Sequence, residues 1–423
     1  MCSRAWAICA SQARTVFAGT RLGHAARRAA AIRHRDGGVP ADAALNPRRD
    51  CLASGRVRLT RVPKIPLVDV KAQYEPLLPE LKERLSEVLD SGRFILGPNV
   101  KAFEQEAAAY LGVPSTVGVA NGTDALVLVL DALGIGPGDE VICPAFTFYA
   151  TAEAIVRRGA TPVFADIDGT TLNLDPADVE PRITKRTRAI MPVHLFGRPA
   201  RLQELAELGV PIIEDAAQAF GAPGIATTGV ASTFSFFPTK NLFGLGDGGL
   251  VAVLEEDVAE RVRMLRFHGS RDKVDFHLVG YNSRLDEIQA AALRLFLGHL
   301  EGWNRGRRAA AVRYAELGLE GTCELPPDDP DHVYHMYVVR SPERDRLAAA
   351  LAQQEIASAS YYVTPLHLQP ALRFLGYQEG SLPETERAAR ENLALPLWPG
   401  IAAEVQERVV STMRAAASTP VSA

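Results

Sequence analysis

The chain has 423 residues, of which 47% are hydrophobic and 23% are charged, with a formal net charge of −4. This length allows two domains and a large buried core, and the small charge gives no global attraction to nucleic acid or an anionic membrane. No apolar run approaches the roughly 18 residues that a membrane-spanning helix needs. Only Cys143 and Cys323 lie beyond the first 62 residues. The sequence therefore predicts no disulfide framework, no metal site and a reducing cytoplasm.

Residues 1–62 differ in composition from the rest. They contain twelve Arg, three Asp and neither Glu nor Lys, a charge of +9, so the remainder carries −13. Such a segment fits a targeting peptide, an RNA- or membrane-binding arm, or a disordered extension. Because the patterning of a folded domain begins only near Ile65, we favour a disordered leader.

From about Val113 to Leu265, short apolar runs alternate with helical patterns. This alternation is typical of an α/β domain with a mostly parallel sheet. The predicted strands are Thr116–Ala120, Glu140–Cys143, Pro162–Asp166, Ala189–His194, Pro211–Asp215, Thr233–Phe237 and Gly249–Leu254. The predicted helices are Gly122–Leu133, Thr147–Arg158, Arg201–Leu208 and Glu256–Phe267.

A long amphipathic stretch, Leu285–Leu317, is predicted to lead into a smaller α+β domain. There we predict strands at Tyr334–Arg340 and Ile356–Tyr362. The predicted helices are Glu343–Gln354, Glu384–Asn392 and Ala402–Ala415. The expected organisation is thus a large domain over residues 63–300, which includes an N-terminal helical segment, and a small domain over residues 301–423.

An acid stands at the end of one predicted strand. Asp215 closes the apolar run Pro211–Asp215, and the carboxyl ends of parallel strands are where open α/β sheets bind ligands. Taken alone, such an acid is more often a helix cap or a loop residue.

A lysine follows the next predicted strand in an unusual setting. Lys240 comes after the aromatic run Phe234–Phe237 and before four glycines at 244, 246, 248 and 249. A buried ammonium is costly, and burial lowers the lysine pKa, which makes the amine nucleophilic and suited to Schiff-base formation. Taken alone, it could equally be a surface lysine that extends its charge to water.

The segment after the first predicted strand indicates an anion site. Gly122, Thr123 and Asp124 form a glycine turn and a helix start, where free backbone N–H groups attract phosphate, although Thr123 could merely cap the helix. Together, this turn, Asp215 and Lys240 supply what pyridoxal 5′-phosphate (PLP) needs: a phosphate cradle, an acid for the pyridine nitrogen and an amine for the aldehyde.

The same segments carry a family resemblance. From Ile65 to about Ala415 the chain resembles the DegT/StrS sugar aminotransferases, which are PLP-dependent enzymes of fold type I. The segments that carry the resemblance are Gly122–Leu126, Pro144–Phe148, Glu214–Gln218, Ser235–Phe236 with Lys240–Leu242, and Asn282–Asp286.

The resemblance implies that Lys240 forms the Schiff base, that Asp215 pairs with the pyridinium nitrogen, and that Gln218 lies beside the phenolic oxygen of PLP. Phe148 matches an aromatic residue that stacks on the ring. The positions that match phosphate contacts are Gly122, Thr123, Asp124 and Ser235.

The resemblance also implies a homodimer with shared active sites. Asn282 matches a residue that reaches the phosphate from the partner subunit, and Arg284 is a weaker candidate for that neighbourhood. The implied reaction moves an amino group from an amino acid, glutamate by resemblance, to a nucleotide-linked keto-sugar in amino-sugar or polysaccharide biosynthesis. A 3-keto sugar is slightly favoured over a 4-keto sugar.

Two alternatives stay open. One is a sugar dehydratase of the same family, but one kind has histidine in place of Lys240 and another needs more cysteines for an iron–sulfur cluster than the chain offers. The other is a PLP-fold protein with a regulatory or binding role and no turnover. The set of Lys240, Asp215 and Gln218 argues against loss of catalysis.

Three histidines and two loops complete the prediction. His194, His268 and His367 lie in segments that resemble family segments near the site, and we expect structural roles for them. The stretches 221–233 and 201–209 are shorter than in most family members, which affects local loop shape and leaves the cofactor residues in place.

Overall fold

The computed structural model of the protein describes residues 64–418, so the predicted leader lies outside the described residues. The strands are β1 Ser115–Val119, β2 Glu140–Pro144, β3 Thr161–Ala165, β4 Thr187–Ile190, β5 Ile213–Asp215, β6 Ala231–Ser235, β7 Gly249–Val253, β8 Tyr337–Arg340 and β9 Asn392–Leu395. The helices are α1 Val70–Tyr74, α2 Leu78–Ser91, α3 Pro98–Leu111, α4 Gly122–Ala132, α5 Tyr149–Arg157, α6 Pro176–Val179, α7 Leu202–Glu207, α8 Glu256–Leu265, α9 Glu287–Leu297, α10 Leu300–Glu316, α11 Arg344–Gln353, α12 Pro383–Glu391 and α13 Ala403–Ser418.

Seven strands form the main sheet. Four pair in the order β1-β7-β6-β5 and three in the order β3-β2-β4. The parallel bridges Ile190–Ile212 and Val193–Asp215 join the two groups. Only β7 runs antiparallel to its neighbours. The mostly parallel sheet that the sequence predicts is therefore confirmed.

Helices pack against the sheet, whose central strands are buried. β2 and β7 are buried at every position, as expected for strands that are covered on both faces. Helix α4 is buried along almost its full length and packs in the same core as Val117, Val141 and Val251. The result is a rigid frame in which strand ends are held at a common edge.

A second sheet lies in the C-terminal part of the described chain. β8 and β9 pair antiparallel and share a core with α10, α11 and α13. Ile65 joins this core and pairs with Ile356. The predicted domain boundary at residue 300 coincides with the start of α10, and it stays a prediction.

The element predictions were wrong at three places in particular. Ile356–Tyr362 forms no strand, only single bridges at Ile356 and Ala359, and Tyr362 has a left-handed backbone that a strand does not allow. The predicted helix to Asn392 ends at Glu391, and a strand follows it.

The third is the strand predicted over residues 189–194, which is shorter: β4 ends at Ile190, and Val193 makes a single bridge. The amphipathic stretch Leu285–Leu317 consists mainly of the helices α9 and α10, which meet at residues 298–299. No helix within residues 64–418 combines the length and the apolar character that crossing a membrane would take.

Candidate active site

The predicted site residues meet at one edge of the main sheet. β1, β5 and β6 run in the same direction, so their carboxyl ends lie at a common edge. Asp215 ends β5, Ser235 ends β6, and the start of α4 follows β1. Sequence positions more than 100 residues apart thus come together where such sheets bind ligands.

The start of α4 lies directly against the end of β6. A side chain at Gly122 would place its Cβ 2.7 Å from the Cβ of Ser235, so only glycine allows this approach. The Asn121 side chain caps the helix by accepting from the Asp124 N–H at 2.8 Å. The cap is therefore Asn121 and not Thr123. The N–H groups of Gly122 and Thr123 precede the first intrahelical bonds, so they can serve an anion.

Asp215 is almost fully buried at this edge. Its carboxylate accepts from the Thr151 hydroxyl at 2.8 Å and from the Ala217 N–H at 3.2 Å. Burial raises the pKa of Asp215, while these two hydrogen bonds and the charge of Lys240 oppose that rise. A buried carboxylate with so few donors is well placed to accept a further hydrogen bond from a cationic ring.

Lys240 lies after β6 in a half-buried position. Desolvation lowers the pKa of Lys240 to about 8, and the charge of Asp215 opposes this shift. Within residues 64–418, no hydrogen bond or ion pair engages its Nζ atom. At that pKa about a tenth of the amine is neutral and nucleophilic at pH 7.

Gln218 is fixed by two hydrogen bonds. Its Oε1 accepts from the Phe196 N–H at 2.7 Å, and its Nε2 donates to the Tyr362 hydroxyl at 3.0 Å. The Tyr362 ring stacks on Phe196 with an interplanar angle of 10°. The second N–H of the Gln218 amide stays available for a ligand.

Two other predicted residues are exposed. Phe148 immediately precedes α5, and 61% of its side chain is accessible, which is unusual for an aromatic residue beside a buried acid. Asn282 is also exposed and pairs with Phe267 through its backbone. Arg284 places its guanidinium 5.8 Å from the centre of the Phe267 ring. These positions leave Phe148 and Asn282 free to contact a ligand or a second subunit.

The histidines have the contacts expected of structural residues, with one difference. His194 uses both ring nitrogens, Nε2 toward Glu214 at 3.0 Å and Nδ1 as acceptor from the Ala200 N–H. His367 is buried against Glu386 at 3.1 Å. His268 is instead exposed and has a left-handed backbone.

Sequence reasoning did not identify Thr151 and Tyr362 as site residues. Thr151 lies three residues after Phe148, on the first turn of α5, which is the one sequence signal that relates it to the site. Tyr362 has φ of 58°, and a strained backbone often marks a functional position. His335, whose pKa burial and the charge of Lys240 hold well below its usual value, also escaped prediction.

The residues present fit PLP. The close approach of Gly122 to Ser235 forms a concave turn lined by backbone N–H groups. Asp215 is buried and accepts only two hydrogen bonds from the described residues. The Lys240 amine has a lowered pKa and no hydrogen bond or ion pair with those residues. These are a phosphate site, a partner for a protonated ring nitrogen and a group that reacts with an aldehyde.

Comparison with known proteins agrees with this geometry. Residues 77–414 match the sequence model of the DegT/DnrJ/EryC1/StrS aminotransferase family. A Geobacillus stearothermophilus protein named pleiotropic regulatory protein is 48% identical over 82% of this chain and 96% of its own length. The dTDP-3-amino-3,4,6-trideoxy-alpha-D-glucose transaminase of Streptomyces venezuelae is 45% identical over 83% of this chain and 96% of its own length.

Solved structures share the fold. The crystal structure of S. venezuelae DesV in complex with a ketimine intermediate superposes with a TM-score of 0.81 at 45% identity, covering 85% of this chain and 100% of that one. The fold is thus that of solved aminotransferases of this family. The chain belongs to the DegT/DnrJ/EryC1/StrS family of PLP-dependent aminotransferases.

Proposed function

We propose that the protein transfers an amino group from glutamate to carbon 3 of a nucleotide-linked keto-sugar. The observation that carries this proposal is the meeting of Asp215 and Lys240 at one sheet edge, the acid buried and the amine with a lowered pKa. In this proposal Lys240 carries PLP covalently and Asp215 binds the ring nitrogen.

PLP, when bound, supplies an aromatic ring that withdraws electrons from the bond to be broken at the substrate carbon. Asp215 would keep a proton on the ring nitrogen by accepting a hydrogen bond from it. Once the incoming amino donor has displaced it from PLP, the Nζ atom of Lys240 would take a proton from the substrate carbon and return it as general base and acid.

Other residues orient the cofactor in this proposal. The phosphate is held by the N–H groups of Gly122 and Thr123, with Asp124 and Ser235 beside them. Phe148 covers one face of the ring, and its exposure supports this role. Gln218 donates its second N–H to the phenolic oxygen, since Phe196 and Tyr362 fix its orientation.

We propose further that the protein acts as a homodimer in the cytoplasm. Asn282 would reach the phosphate of the partner subunit, and its exposure supports a role outside its own subunit. Phe276 and Val279 on the same segment are also exposed, at 60% and 94%, and such apolar groups favour an interface. Cys143 and Cys323 are both free thiols, as expected in a reducing compartment.

A half-reaction tests the amino donor. Glutamate added to the PLP-loaded protein without sugar should change the visible absorption of the cofactor and release 2-oxoglutarate. The Lys240→Ala variant should release no 2-oxoglutarate, while Lys101→Ala on the exposed face of α3 should behave as wild type. A wild-type protein that responds to another amino acid and not to glutamate would contradict the donor assignment.

A substrate panel tests the sugar. The name of the S. venezuelae relative specifies amination at carbon 3, which supports a 3-keto acceptor. Amino product should form from a nucleotide-linked 3-keto sugar and not from its 4-keto isomer, measured by mass spectrometry and NMR of the product. Product from the 4-keto sugar alone would overturn this choice.

A regulatory role is the second candidate, because the G. stearothermophilus relative is named a regulatory protein. A purely regulatory protein would bind PLP without exchanging an amino group with any amino acid. Release of a keto acid in the half-reaction separates the two functions.

A further inference from the structure

Two threonines beside the site form a chain of hydroxyl groups that ends on Asp215. The Oγ1 atoms of Thr147 and Thr151 lie 3.2 Å apart, and the Thr151 Oγ1 lies 2.8 Å from Oδ2 of Asp215. Thr147, Thr151 and Asp215 are all nearly inaccessible to solvent. Water therefore does not compete for these hydrogen bonds.

The donor direction along this chain of hydroxyl groups follows from counting protons. A hydroxyl has one proton to donate, and an ionised carboxylate can only accept. Thr151 therefore gives its proton to Asp215. The contact between the threonines must then use the proton of Thr147, so the chain runs from Thr147 to Thr151 to Asp215.

The position of the two threonines near the start of α5 connects the hydroxyl chain to the cofactor site. Thr147 and Thr151 lie on either side of Phe148, and α5 begins at Tyr149. A threonine in a helix commonly turns its hydroxyl to the carbonyl four residues earlier, but Thr151 contacts a carboxylate 64 residues away. One short segment thus presents an exposed aromatic ring and a buried hydroxyl pair to the same ligand region.

We propose that this chain orients the Asp215 carboxylate and keeps it ionised, so that Thr151 is a positioning residue for the bound PLP ring. The inference rests on the proposed function, because it takes Asp215 as the partner of the ring nitrogen.

The surroundings of Asp215 explain why a neutral donor is needed. Burial raises the pKa of this carboxyl, and the Thr151 hydroxyl is the strongest of the interactions that lower it. The other titratable groups whose charges are coupled to it are Lys240, His194, Cys143 and Tyr362. His194 is engaged with Glu214, and Lys240 would convert its amine to an imine on joining PLP. The hydroxyl then supplies a donor that does not depend on pH.

The test compares four variants of the full chain: Thr151→Val, Thr151→Ser, Thr147→Val and Thr233→Val. Thr233 is the matched control, since it is buried on β6 and donates to the Glu214 carbonyl at 3.2 Å, not to Asp215. The dissociation constant of PLP is measured by titrating apo-protein at pH values from 5 to 9. Thermal unfolding of each apo-protein shows whether the fold is kept.

Thr151→Val should weaken PLP binding about tenfold at neutral pH, the usual effect of losing a hydrogen bond to a charged group. The pH below which affinity falls should also rise, since the charged form of Asp215 has lost a donor. Thr151→Ser should restore both quantities, and Thr147→Val should show a smaller shift in the same direction.

Equal PLP affinity and pH dependence in Thr151→Val and Thr233→Val would overturn the inference. So would a Thr151→Ser variant as defective as Thr151→Val, because packing of the methyl group would then be the cause. If Thr151→Val does not fold, Thr147→Val replaces it in the test. An unchanged pH dependence of PLP affinity in Thr147→Val would then overturn the inference. Wild-type protein that does not bind PLP would instead overturn the proposed function itself.

Discussion

The two faces of β5 carry neighbouring acids in opposite environments. Glu214 accepts from His194 at 3.0 Å and from the N–H groups of Ala226 and Gly229 at 2.9 Å each. Burial alone would raise its pKa, but these partners lower it below the usual value. Among residues 64–418, Asp215 accepts hydrogen bonds from only two donors, and its pKa is raised.

The difference separates a structural acid from a functional one. Glu214 is saturated by groups of the chain itself and ties the loop over residues 221–230 to the sheet. Asp215 retains acceptor capacity at the ligand edge, at a cost in stability that a bound cation would offset. Burial of an acid alone thus does not indicate function; the number of donors supplied by the chain does.

The largest expected contrast is in turnover. Asp215→Asn should lower the rate of amino transfer by about 1000-fold or more, because an amide cannot hold a proton on the ring nitrogen. Glu214→Gln should change the rate of the folded protein less than about tenfold, because Glu214 does not reach the ligand edge. Single-turnover rates with saturating PLP measure both. Equal losses in the two variants would remove the distinction.

The stability of the fold should depend on Glu214. Glu214→Gln leaves one buried N–H facing an amide NH2 group, so unfolding free energy should fall by about 2–3 kcal/mol. The exposed Glu204→Gln should change it by less than about 0.5 kcal/mol. Because the pKa of Glu214 lies below its ordinary value of 4.5, its contribution is present above that pH and is lost as the pH falls further. Urea unfolding between pH 3 and 7 measures both effects. A Glu214→Gln protein whose unfolding free energy and pH dependence equal those of wild type would contradict them.

The pKa of the Lys240 amine should show a smaller effect that depends directly on Asp215. Competitive labelling of apo-protein lysines with acetic anhydride should give Lys240 a pKa near 8, with the labelling of the exposed Lys101 as the reference. Asp215→Asn should move the Lys240 pKa further down, since the carboxylate stabilises the ammonium. An unperturbed pKa for Lys240, or an upward shift in the variant, is the contrary result.

The smallest effect is expected at the Gln218 contact. Tyr362→Phe removes the hydroxyl that accepts from Gln218 and should weaken PLP binding about three- to tenfold. Tyr361→Phe is the control, because its hydroxyl makes no contact with Gln218 in the described chain. Identical PLP affinities in the two variants would show that this contact does not position the amide.

Residue type and order predicted the sheet, because alternating apolar runs and helical patterns are local. Asp215 and Lys240 were each ambiguous alone, and their roles were predicted only from the three segments together and from the family resemblance. The hydroxyl chain and the Gln218–Tyr362 contact were not predictable, since their partners lie 64 and 144 residues apart. β9 was not predicted, because this four-residue segment directly after α12 forms a strand only by pairing with β8. The strand predicted over residues 356–362 failed because the backbone of Tyr362 turns.

The most direct test of the account is to find which lysine carries the cofactor. PLP-loaded protein is reduced with borohydride, digested and mapped by mass spectrometry. The account predicts a single pyridoxyl-tagged peptide that contains Lys240, with no tag in Lys240→Ala. A tag on any of the other lysines, or none on the native protein, would contradict it.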